Sequence, residues 1–349
     1  MPVRFARREF LSRLGAMAAA TITASPLGYT LMKPESRSRP TSSSGGDPQR
    51  KSSNAVAAKP LKSPFRVSVI NDEISQDFGR ACEVASREFG MEWIELRSMW
   101  KKNVVNLDAK EVAEAQRILR KYNLRVTDIA SPLFKVDWKG APQSEFSTAH
   151  DFHADFTFDQ QDEVLERAIE MAKAFGSDRV RCFDFWRLED QVPYRAAING
   201  KLLDTADKAG KKGIVLLLEN DSGLNTATGA EAAKVLNAVK SPYLMLNWDP
   251  GNAAASGETP YPDGYNLLPK DRIGHCHCKD AVKKDKGYDW AAMGKGVVDW
   301  TGQFKALKRD GYQFAVSLET HWNGGSTPEE SSRQSWAGMK KLLQDAGAL

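Results

Sequence analysis

The chain has 349 residues, 41% hydrophobic and 27% charged, the composition of an ordinary globular fold with a sizeable core. Its formal charge of +4 is unevenly spread: residues 1–64 carry +8, which leaves −4 on residues 65–349. The folded part therefore gives no nucleic-acid signal from bulk charge, and no nucleic-acid partner is expected.

The N-terminus reads MPVRFARREFLSRLGAMAAATITASPLG, with Arg7 and Arg8 ahead of Phe10, Leu11 and an alanine-rich apolar stretch that runs to about Ile22. A basic pair before a modest apolar segment is the pattern of a twin-arginine export signal. It predicts a signal peptide over residues 1–32 and a periplasmic location, the alternative being an ordinary basic amphipathic N-terminus. The apolar stretch falls short of the ~20 residues a membrane span needs. Residues 33–64 are rich in Ser, Pro and Lys and read as a disordered linker.

From Phe65 onward, short β-rich runs alternate with amphipathic stretches. Candidate strands cover 65–70, 93–97, 125–130, 179–185, 213–219, 243–249, 272–278 and 314–319. Between them, stripes such as Val164, Leu165, Ala168, Met171, Ala172 and Phe175 recur at helical spacing. Eight strands alternating with helices predict an α/β fold, a single (β/α)8 TIM barrel over residues 65–349. Two connections exceed what packing requires: 131–158, whose Phe and Trp content suits a lid, and 279–298, which includes a Gly-x-Gly at 294–296. The four cysteines, 82, 182, 276 and 278, form no disulfide framework. Cys276 and Cys278 share one face of a strand, in a geometry poor for mutual bonding, and are expected to pack outward. The HCHC run has no second ligand pair at zinc-finger spacing.

Four of the apolar runs end on a group that can hold a divalent metal: IVLLLEN on Glu219, YLMLNWDPGN on Asp249, IGHCHCKD on His277 and FAVSLETHW on Glu319. Their intervals of 30, 28 and 42 residues are near the roughly 30 per strand–helix unit of an eight-unit barrel, whose C-terminal strand ends converge on one mouth. Three carboxylates and one imidazole make a hard, oxygen-rich site suited to Mn, Mg, Co or Zn. Singly, each carboxylate has an alternative as a helix cap or a partner for an internal arginine. His275, His277 and Lys279 share a face by alternation. His277, nearer the strand end, is taken as the ligand, and His275 as filling a deeper layer.

The ordered set NDEISQD, WIELR, LEN, NWDPGN, HCHCKD, GKGVVDW and SLETHW resembles the xylose-isomerase-like TIM-barrel superfamily, in particular its sugar isomerase and epimerase branch, over roughly 65–345. The resemblance implies one divalent metal ion held by Glu219, Asp249, His277 and Glu319, with Glu219 and Glu319 doubling as acid and base. Asn252 stands where relatives often carry a sugar-contacting histidine. Glu95, Arg97, Arg181, Asn252 and Lys279 are the candidate substrate contacts, although Arg181 has an alternative in pairing with a core acid and Lys279 in a salt bridge. The chemistry is coherent: moving a hydrogen next to a carbonyl needs a base for the proton and an electrophile for the developing charge, which carboxylates and a metal supply. The expected activity is metal-dependent sugar isomerisation or epimerisation on a small sugar substrate, with homo-oligomerisation left open. A lyase acting on oxidised (3-keto) glycosides is the enzymatic alternative, and a non-catalytic carbohydrate-binding barrel the other. Only five histidines are available, too few to build readily the trinuclear zinc site of the superfamily's endonucleases.

Overall fold

A computed structural model describes residues 59–147 and 156–349. The proposed export signal, residues 33–58 of the linker, and the centre of the 131–158 excursion with His150 and His153 lie outside the described residues.

Eight β-rich runs form β1 (Arg66–Val69), β2 (Trp93–Leu96), β3 (Arg125–Leu133), β4 (Arg179–Cys182), β5 (Val215–Glu219), β6 (Leu244–Trp248), β7 (Ile273–Cys278) and β8 (Ala315–Leu318). They are buried along nearly their whole length, as strands covered on both faces must be. Every pairing is parallel, in the order β1-β8-β7-β6-β5-β4-β3-β2, and a parallel bridge between Ile70 and Glu95 brings β1 to β2. This is the (β/α)8 barrel expected, in a nearly closed form. Two strands differ from expectation. β3 runs on to Leu133, and β4 stops at Cys182 rather than residue 185, because Phe183, Phe185 and Trp186 donate instead to the carbonyls of Leu133, Phe134 and Val136 and Phe185 turns to φ 72°.

The principal outer helices are α1 (Phe78–Glu83), α2 (Ala109–Tyr122), α3 (Gln161–Phe175), α4 (Val192–Gly210), α5 (Gly229–Ala238), α6 (Pro250–Ala255), α7 (Trp300–Arg309) and α8 (Pro328–Asp345). Most βα turns end in a residue whose side chain satisfies the first free backbone N–H groups: Asp108 with Glu111 in a capping box, and Thr228, Asp249, Asp299 and Thr327. The stripe of α3 is buried as its spacing required. Cys276 and Cys278 are buried and unbridged in the hydrophobic layer.

Both long connections are anchored to the mouth. Phe134 stacks on Phe185 at 4.8 Å, and Trp138 meets Phe185 edge-on at 4.7 Å and Phe158 at 5.4 Å, so an aromatic cluster holds the described ends of the 131–158 excursion. After β7, Asp280–Lys283 and Tyr288–Ala291 form an antiparallel hairpin. The buried Asp280 carboxylate holds it by accepting from the N–H groups of Ala281 (3.0 Å), Gly294 (2.9 Å), Gly296 (3.0 Å) and Val298 (3.3 Å). This clasp accounts for the Gly-x-Gly: a Cβ at Gly296 would lie 2.1 Å from Asp280 Oδ1.

Candidate active site

The four strand-end groups converge. Glu219 closes β5, Asp249 follows β6, His277 lies in β7 and Glu319 follows β8. Their ligand-type atoms lie within 4.8 Å of one another, and all four residues are buried. His277 is the hub, with Nδ1 3.2 Å from Glu219 Oε1, 3.3 Å from Glu319 Oε2 and 3.9 Å from Asp249 Oδ2. Donors about 2.0–2.2 Å from a common centre, as around a divalent ion with N and O ligands, sit at edges of this length. The donor set therefore fits one hard or borderline divalent metal.

Neighbouring motifs hold each of these groups in place. Asp249 uses Oδ1 to cap α6, accepting from Asn252 N at 2.8 Å, and keeps Oδ2 for the cluster. Asn252 Nδ2 donates to that Oδ2 at 2.9 Å, and Asn220 clasps the Asp249 backbone from both sides. One carboxylate therefore caps α6 with one oxygen and presents the other to the cluster. Gly251 lets α6 start under β7, since a Cβ there would meet Lys279 O at 2.6 Å. The two glutamates are held in parallel fashion. Glu219 Oε2 accepts from Arg181 at 3.1 Å and Glu319 Oε1 from Arg97 at 3.0 Å, leaving the other oxygen of each for the cluster.

Burial and charge pull these groups in opposite directions. Burial disfavours the Glu219 carboxylate, but His277 and Arg181 outweigh it and hold the group below the usual range. Burial likewise opposes ionisation of Glu319, and Lys279, His321 and His277 bring it well below that range. For Asp249 burial wins over Lys279, aided by the negative Glu319, and its carboxyl is pushed up to about 7. His277 is raised well above its ordinary value: desolvation is overcome by Glu95, Glu219 and Glu319.

Above the cluster lies a cavity of about 210 Å3, lined in part by Arg97, Arg181, Phe183, Asn252, Lys279 and Trp290. Its position at the C-terminal mouth of the barrel is where enzymes of this architecture hold substrate.

Residues 84–342 match the family model described as the xylose isomerase-like TIM barrel. The chain belongs to that family. Among solved structures, the barrel is similar to the probable 3-DHS dehydratase of Bacillus anthracis (19% identity, 80% of this chain and 99% of that one, TM-score 0.60). It is also similar to the D-allulose 3-epimerase of Methylomonas sp. (19%, 82% and 99%, 0.58). A third is a xylose isomerase-like TIM barrel protein of Mycobacterium smegmatis in complex with magnesium (16%, 81% and 98%, 0.57). A search of curated protein sequences finds no match.

Within this family barrel, Arg97, Arg181, Asn252 and Lys279 all reach the cavity, as a substrate role requires. Each also contacts a carboxylate of the cluster: Lys279 Nζ lies 2.7 Å from Glu319 Oε2 and 3.0 Å from Asp249 Oδ2. Glu95 lies elsewhere. Fully buried beneath the cluster, it places Oε1 3.0 Å from His277 Nε2 and Oε2 3.2 Å from His275 Nε2, and it does not line the cavity. His275 fills the deeper layer as expected, with Nδ1 3.4 Å from Asp128 Oδ1. Three further residues stand at the site. Glu73 accepts from Arg97 at 2.7 Å, His321 lies 3.4 Å from Lys279 Nζ, and Trp290 presents its ring 4.7 Å from the same ammonium. Helix caps and solvated loops supply Glu and His so often that neither Glu73 nor His321 stands out, and Trp290 depends on the hairpin fold.

Proposed function

We propose that this barrel is a divalent-metal-dependent sugar isomerase or epimerase that moves a proton at a carbon next to a carbonyl. The observation that carries the reading is the pairing of Glu219 and Glu319: both are ionised and buried, they come from strands three positions apart around the barrel, and each turns one oxygen to the same metal-type cluster. Glu219, Asp249, His277 and Glu319 would hold the ion, which when bound supplies electrophilic stabilisation of negative charge on substrate oxygen. One glutamate removes the proton and the other returns it to the opposite face, which inverts the carbon. Arg97 and Arg181 keep the two carboxylates oriented, while His277 and Arg181 at Glu219, and Lys279, His321 and His277 at Glu319, keep them ionised. Asn252 and Lys279 offer donors to substrate hydroxyl or carbonyl oxygens at the cavity wall, and burial of the cluster keeps bulk water from the reacting carbon.

The experiment is a panel of ketoses, aldoses and 3-keto-glycosides incubated with the protein and Mn, Co or Mg in deuterated water and followed by NMR. Incorporation of deuterium at one carbon, with appearance of the epimer or isomer, is the expected result. An unsaturated product would reassign the site to elimination, and binding without exchange would make the barrel a carbohydrate-binding module. Export to the periplasm is part of the same proposal and rests on Arg7 and Arg8. Replacing both by lysine should retain the protein in the cytoplasm, which fractionation reads directly.

A further inference from the structure

Three carboxylates meet at the candidate metal centre, and three cations already answer them. Arg181 bonds Glu219, Arg97 bonds Glu319, and Lys279 bonds both Asp249 and Glu319. The three are not equally fixed. Arg97 is also tied to Asp72 (3.0 Å) and Glu73 (2.7 Å), and Arg181 donates to the Ser131 and Ala130 carbonyls at 3.3 and 3.1 Å, so moving either would leave buried partners unmatched. The partners of the buried Lys279 ammonium are Asp249, Glu319 and Nδ1 of His321, with the Trp290 ring beside it. The oxygens it uses, Asp249 Oδ2 and Glu319 Oε2, are the two that these residues turn toward His277 Nδ1. An ammonium and a divalent ion at this centre compete for the same two atoms, and their like charges repel at short range in a buried site.

We propose that Lys279 is a built-in competitor for the metal: its ammonium balances the carboxylates when no ion is present and yields Asp249 and Glu319 when one enters. This rests on the metal reading of the centre. The released ammonium stays within reach of the Trp290 face, where a cation is held by the ring, and at the cavity wall, where it meets substrate oxygen. Lys279 thereby weakens divalent-ion affinity and ties its own availability to the cavity to the ion's arrival.

The test is calorimetric titration of Mn2+ into the full chain stripped of metal, comparing wild type with Lys279→Met, Lys279→Gln and Lys279→Arg. The neutral variants should bind Mn2+ about tenfold tighter or more, since removing one cation leaves the buried carboxylates under-compensated, whereas Lys279→Arg should not gain affinity. Without metal the neutral variants should melt below wild type, and Mn2+ should raise their melting temperature more than it raises that of wild type. Folded neutral variants that bind Mn2+ no tighter than a metal-binding wild type would overturn the proposal and leave the metal site standing. If no form bound Mn2+, the metal reading itself would fall and the proposal with it. Neutral variants that stay unfolded even in saturating Mn2+ would also overturn it, because an ion able to replace the ammonium should restore the balance.

Discussion

Replacing Glu95 by alanine separates two roles that the fold makes mutually exclusive. Glu95 is wholly buried, with Oε1 3.0 Å from His277 Nε2 and Oε2 3.2 Å from His275 Nε2. For His277 to offer the Nδ1 lone pair toward Glu219, Asp249 and Glu319, its ring hydrogen must sit on Nε2, and Glu95 is the carboxylate placed to accept it. Deleting the acceptor leaves Nε2 with only the Asn247 side-chain amide, 3.1 Å away, and the lost charge-assisted bond costs about 1–3 kcal/mol. Loss of the carboxylate behind a ligating histidine lowers metal affinity about 10–100-fold, equivalent to roughly 1.4–2.7 kcal/mol. Glu95→Gln keeps the volume and one acceptor oxygen, so its affinity should fall between those of the alanine variant and wild type. The assay is Mn2+ titration of each folded variant beside KM for the sugar substrate. A residue touching substrate from the cavity wall would raise KM and leave metal affinity unchanged. A folded Glu95→Ala protein that binds Mn2+ as tightly as wild type would refute the role assigned here.

Other changes address different links of the argument. Asp249→Ala and His277→Ala each delete a ligand and should reduce bound metal from about one ion per chain, measured by elemental analysis; unchanged content in both would dismiss the four-residue centre. Glu219→Gln and Glu319→Gln should each lower epimerisation by about 100-fold or more, the usual effect of losing a general base. One-sided exchange of substrate hydrogen with solvent should survive in one of them, and full turnover in either metal-loaded variant would dismiss the two-base scheme. Gly296→Ala puts a Cβ 2.1 Å from Asp280 Oδ1 and 2.3 Å from the Ala281 carbonyl. The clasp under the hairpin must open, costing about 1–3 kcal/mol, and a chemical melt indistinguishable from wild type would show that the clasp bears no strain.

The limit of what could be read from the chain runs along the barrel axis. Alternation along a strand identifies which residues point inward, and the ends of β-rich runs identify which of those stand near the mouth. These two local patterns suffice to group Glu219, Asp249, His277 and Glu319 from the sequence. Alternation does not give relative height between strands, however, because stagger belongs to the closed sheet. Glu95 and His277 both point inward near strand ends, yet β2 meets β1 only through the Ile70–Glu95 bridge and shifts register against β3, so Glu95 sits below His277. A carboxylate assigned by its strand position to the cavity thus becomes the floor of the site. Lys279 shows the converse case. Its face was legible from His275 and His277, but not that its ammonium folds back onto two ligands. That depends on the close approach of Gly251 to the Lys279 backbone and on the hairpin carrying Trp290, which Asp280 draws in through three N–H groups distant along the chain, those of Gly294, Gly296 and Val298. The four groups of this cluster were legible because one local pattern, a polar group ending a buried strand, recurs at four strand ends and is read from the set rather than from any one residue. The groups that set their charge and orientation were not, because each takes its position from contacts between loops that no local pattern contains.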